Sequence, residues 1–80
     1  MEEINGVRFE IKHSEITGDK GETLNTLVYY PDLNIEVSVP HFMETSIEKI
    51  KGNICNRFLS EKAYIDAKIK NEELLKQLNS

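Results

Sequence analysis

Cys55, His13 and His41 are the side chains of this 80-residue chain best suited to serve as a nucleophile, a proton carrier or a metal ligand. A metal centre needs such donors at short, repeated spacings, and these three stand singly in separate stretches. A Cys–His catalytic pair can be distant in sequence, but Cys55 falls inside a segment patterned as a core-facing helix. A thiol in that setting is normally inert and packs as a small hydrophobe. The three Asp and eleven Glu are scattered, and no two are set apart for acid–base work. Neither a glycine-rich phosphate loop nor a Ser, His and Asp arrangement is present. The expectation is a protein with no catalytic residues, no cofactor and no metal.

Tyr29, Tyr30 and Phe42 could form a stacking platform for single-stranded nucleic acid. The residues around them include Asp32 and Glu36 and no Lys or Arg, so the electrostatic half of such a site is missing. The net charge is −4. Residues 1–43 carry three basic and eight acidic side chains, whereas residues 44–80 carry seven and six. An acidic half repels a phosphate backbone and suits a basic protein surface. Glu10, Glu36 and Tyr29 are therefore the candidate residues for binding a protein partner, and nucleic acid is not the expected one.

Eighty residues make one domain, 1–80, with too little interior for both a packed core and an enclosed cavity. The chain is 39% hydrophobic and 30% charged, enough apolar material for a fold. A single cysteine suits a reducing compartment. The first ten residues, MEEINGVRFE, have neither the basic nor the apolar stretch of a signal peptide, and no apolar run nears the ~20 residues that span a membrane. A cytoplasmic protein is expected.

The elements that must position these residues fall in two halves. Val7, Phe9 and Ile11 alternate with Arg8, Glu10 and Lys12, as in a half-buried antiparallel strand, with His13 in phase at its end. Gly6 marks the strand start or a bulge. Residues 14–22, SEITGDKGE, read as a long mobile hairpin loop around Gly18 and Gly21. Thr23 to Tyr30 forms a second strand, with Leu24, Thr26, Val28 and Tyr30 on one face and Leu27 and Tyr29 on the other. Pro31-Asp32 makes a turn. Leu33, Ile35, Val37 and Val39 alternate through a third strand that Pro40 ends. His41 to Glu44 links the sheet to a helix over 45–59. There Ile47, Ile50, Ile54 and Phe58 form one stripe, and Thr45 with Glu48 forms a capping box. Gly52 lies on that helix's outer face. Ile50 and Ile54 are expected to pack on Phe9, Ile11, Ile35 and Val37.

From Ser60 onward the composition stays helical. Ile65 and Ile69 prolong the first stripe, whereas Leu74, Leu75 and Leu78 lie on another face. Either the chain turns near Ser60 or Asn71 into a second helix, or one long helix changes the face it buries. Tyr64, Ala67, Asn71, Leu74 and Leu78 are spaced 3-4-3-4, a short coiled-coil-like seam. Leu74, Leu75, Leu78 and Leu27 are the candidate interface of a homodimer.

The order strand, loop, strand, Tyr-Pro-Asp-Leu turn, strand, then capped helix resembles the antitoxin half of HicA–HicB toxin–antitoxin pairs. The likeness covers Val7 to about Phe58 and rests on Pro31, Asp32, Leu33 and the spacing to Ile47. It implies a toxin-binding role and a final strand after the helix. The chain lacks that family's glycine soon after Pro-Asp-Leu and its acidic-Ala-aliphatic helix opening. The fold expected from the residues is α+β: a three-stranded antiparallel meander (1–43) packed by one amphipathic helix, then a C-terminal helical segment (44–80), in the order β-β-β-α-α. The function expected is a small acidic intracellular interaction module that regulates or inhibits a protein partner. An antitoxin of that kind or a nucleic-acid-associated accessory protein is the alternative.

Overall fold

The computed structural model describes residues 1–42 and 45–79. Its elements are β1 (Glu2–Ile4), β2 (Val7–Thr17), β3 (Thr23–Tyr30), β4 (Ile35–Phe42) and α1 (Ile47–Leu78). The fold is α+β: an antiparallel sheet in the order β1-β2-β3-β4, followed by one helix. Four strands stand where three are expected, and one helix where two helical segments are.

The added strand, β1, is made by Asn5 and Gly6. Both have positive φ, 53° and 81°, and they join Ile4 to Val7 in a two-residue hairpin. Asn-Gly is the pair that adopts this left-handed turn at least cost. Gly6 is therefore a hairpin corner and not the start of the first strand.

Strand β2 also runs further than expected, to Thr17, because Ser14 to Thr17 pair with Thr23 to Thr26. The loop shrinks to residues 18–22, where Gly21 N donates to the Gly18 carbonyl. A bulge between Ile11 and His13 shifts the register. It puts His13 opposite Leu27 and takes it off the apolar face. His13 is exposed. Strand β2 also outruns the helix before the bulge is reached: Val7 and Phe9 are buried, while Ile11 is 45% exposed and drops out of the expected core.

The two remaining strands keep their expected alternation. Thr26, Val28 and Tyr30 of β3 are buried, and Leu27 and Tyr29 occupy the opposite face, half-buried. Strand β4 starts at Ile35, with Leu33 left in the turn, and passes through Pro40 to Phe42. Pro40 therefore does not end it, and His41 and Phe42 belong to the strand and not to the link. It is an edge strand, where a missing N–H costs least.

The connection from sheet to helix includes residues 43 and 44, outside the described residues. The helix cap is Ser46, not Thr45: its hydroxyl accepts from Lys49 N at 3.3 Å, so the Thr45–Glu48 box does not form. The first turn stands at the corner of the sheet, and Ile47 is 71% exposed in consequence. Ile54, Cys55 and Phe58 are buried against Val7, Phe9, Val28, Tyr30 and Val39, with Ile35, Val37 and Ile50 packed at the margin. Tyr30 and Phe58 meet with ring centroids 5.5 Å apart, and burial pushes the Tyr30 phenol up to about 12. Gly52 faces outward with nothing near its absent Cβ, as its phase implies.

Beyond Phe58 no helix residue is buried. At 1.5 Å per residue the helix is ~48 Å long, close to the molecule's longest dimension of 54 Å. The distal half leaves the sheet, and no second helix or closing strand follows it among the described residues.

Candidate functional site

Cross-strand register brings the three candidate partner-binding residues into one line. Glu10 of β2 lies opposite Tyr29 of β3, and Tyr29 lies opposite Glu36 of β4. The row crosses the face of the sheet that the helix leaves open. Residues paired directly across antiparallel strands share a face and lie about 4.5–5.5 Å apart. The two carboxylates thus flank the tyrosine ring on either side.

The turn after β3 holds that ring. Leu33 N and Asn34 N both donate to the Tyr30 carbonyl, at 3.2 and 2.8 Å, and Asn34 takes a positive φ of 53° that asparagine tolerates. The Asn34 Oδ1 then accepts the Tyr29 hydroxyl at 3.0 Å. Lys12 Nζ stands 5.6 Å from the Tyr29 ring centroid and 3.4 Å from Glu10 Oε2. Beside the row, Arg8 donates to both carboxylate oxygens of Asp32. The Arg8 guanidinium holds the Asp32 carboxyl below its ordinary range.

The acidic character of this face is therefore partly spent within the chain. Glu10 is paired with Lys12 and Asp32 with Arg8, whereas Glu36 is exposed and has no ion-pair partner among the described residues. Glu36 is the free negative charge of the row.

The four candidate dimer residues divide between two places. Leu27 sits on the open face, half-buried between His13 and Ser38. Leu74, Leu75 and Leu78 lie near the end of the helix, 49%, 58% and 81% exposed. Within one chain they do not meet. Tyr64, Ala67, Lys68, Asn71, Glu72 and Leu75 line a shallow groove of about 320 Å³ along the distal helix.

The histidines also part company. His41 is buried, with Nδ1 3.2 Å from the Asn53 side-chain nitrogen. Its Nε2 has no hydrogen-bond partner among the described residues. Burial lowers its pKa below 6.5. A groove of about 470 Å³ runs past it between Phe42, Lys49 and Asn53. Cys55 is buried beside the Ile4 carbonyl, 3.8 Å from Sγ, and burial pushes its thiol up, away from the reactive thiolate. No three His, Cys, Asp or Glu side chains gather as metal ligands among the described residues. No described helix is long and apolar enough to cross a membrane.

Sequence reasoning missed Arg8, Lys12, Asp32 and Asn34 as the supports of the Tyr29 row. The Pro-Asp turn carries a local signal for the last two. The lysine and arginine become visible only once the strand register is known. Comparison of the chain with protein-family models, curated proteins and solved structures finds no match.

Proposed function

We propose that this chain is a non-catalytic protein-interaction module that works as a homodimer and regulates or inhibits a protein partner. The observation that supports it is the bare distal half of α1. A helix in water draws most of its stability from the apolar face it packs, and about 15 residues standing alone are marginal. Here Tyr64, Leu74, Leu75 and Leu78 stand about half or more exposed on one side of such a stretch. Their exposure in one contiguous region is the mark of an interface. A two-fold pair is the simplest closed arrangement that covers it.

In this reading the open face of the sheet is left to the regulated partner, with Glu36 and Tyr29 as its centre and a basic surface as the complement. The buried, unreactive Cys55 suits work in a reducing compartment. Light scattering on a sizing column tests the reading. The parent should run at twice 9.2 kDa at micromolar concentration. Leu74→Asp and Leu78→Asp together should return it to 9.2 kDa. A monomeric parent overturns the reading.

A further inference from the structure

We infer that the distal helix pairs antiparallel with that of a second copy, with Asn71 on the two-fold axis; this rests on the self-association proposed above. The seam is short and has a centre. Tyr64, Ala67, Asn71, Leu74 and Leu78 cover fifteen residues, and Asn71 is their midpoint. Reversing one helix about Asn71 lays Tyr64 against the partner's Leu78 and Ala67 against the partner's Leu75. The small Ala67 forms the floor of the groove that Tyr64, Asn71 and Leu75 border. A leucine from the second chain fills that notch, and the groove's own Leu75 fills the partner's. The two Asn71 amides, each both donor and acceptor, can bond to one another on the axis.

Charge separates this arrangement from a parallel one. A two-fold perpendicular to the helices brings matching flanks of the seam together. Lys68 and Glu72 share a flank, since both line the groove. Lys68 of each chain therefore lies beside the partner's Glu72. On the other flank the two Lys70 side chains approach, each with Asp66 and Glu73 of its own helix four and three residues away. A parallel pair joins opposite flanks instead and sets Lys68 beside the partner's Lys70, twice. It also extends the contact back along the same helix side through Asn53, Arg57 and Ser60, none of them apolar, where the two Arg57 side chains meet. The antiparallel pair stops where the apolar seam stops and opposes the two helix dipoles. It holds the two sheets at opposite ends, so the dimer presents two open faces to a divalent target.

Disulfide trapping with full-length chains tests the orientation. Tyr64→Cys and Leu78→Cys chains are oxidised separately and as a mixture, and the linked sites are mapped by mass spectrometry so that Cys55 is told apart. The mixture should give chiefly the hetero-linked dimer between the two introduced thiols, and each variant alone should give little same-site product. Same-site links in each variant alone, from a parent that runs as a dimer, overturn the antiparallel arrangement and leave self-association standing. A dimeric parent with no link in any sample overturns the seam as the interface. A parent at 9.2 kDa overturns the self-association beneath both.

Discussion

The Tyr30 hydroxyl donates a 2.8 Å hydrogen bond to the main-chain carbonyl of Ile54, tying an inner strand to the one stretch of helix that is buried. Both side chains are wholly inaccessible. The sheet and helix are joined there and in few other places, so the two residues should dominate the fold's stability. Ile54→Ala should cost ~2–5 kcal/mol through lost burial and the cavity left behind. Tyr30→Phe should cost only about 0.5–1.5 kcal/mol, because the carbonyl keeps its helical partner. In urea unfolding, an Ile54→Ala midpoint equal to the parent's would show that this stripe is not the core.

Gly52 gives the opposite sign. It lies in the second turn of the helix, exposed, with no atom other than its own helix backbone and chain neighbours within 4 Å of where a Cβ would stand. Gly52→Ala should stabilise by about 0.5–1 kcal/mol, since alanine loses less backbone entropy and meets no clash. That amounts to roughly 2–8 °C in melting temperature for a chain of this size. A lower melting temperature would place something against that face of the helix.

His41 should make the fold sensitive to mild acid. Free of the fold it titrates near 6.5, and burial lowers that value in the folded chain. Between the two values the unfolded chain binds more protons, so stability falls as pH drops through 6.5 toward the folded value and levels out below it. His41→Gln, which can still bond Asn53, should flatten that part of the curve. Equal losses in parent and variant between pH 7.5 and 5.5 would assign the effect to other groups.

Several of these positions were within reach of pattern alone. The bounds of β3, the alternation of β4 and the burial of Ile54 and Phe58 follow from local periodicity. Strand β1 does not, because Glu2-Glu3-Ile4 shows no alternation and only Asn5-Gly6 announces the hairpin. The bulge at Lys12 defeats period-two counting, which carries His13 to the wrong face. The helix pattern cannot say where the sheet beneath it ends, so Ile47 and Ile11 read as core and are not. Charge and phase select Glu10, Tyr29 and Glu36 singly; that they form one row depends on two hairpin registers set by the turns. The Arg8–Asp32 pair, 24 residues apart, has no sequence signal at all.

Glu36 offers the cleaner probe of the open face. Glu10→Lys also breaks the Lys12 pair and sets two lysines side by side, whereas Glu36→Lys removes a charge that nothing in the described chain uses. With a basic protein partner, Glu36→Lys should slow association several-fold at low salt and flatten its salt dependence, with the fold intact. Adding Glu10→Lys should slow it further. An unchanged association rate would remove electrostatic steering from the account.

The dependence of the distal helix on a second copy is most directly measured by amide hydrogen exchange across a dilution series. Residues 50–61, packed on the sheet, should be protected to the same degree at every concentration. Residues 64–78 should exchange slowly at high micromolar protein and faster by tenfold or more as the pair dissociates. Leu74→Asp with Leu78→Asp should make that segment fast throughout. Exchange in 64–78 that stays the same from nanomolar to millimolar protein would contradict the account.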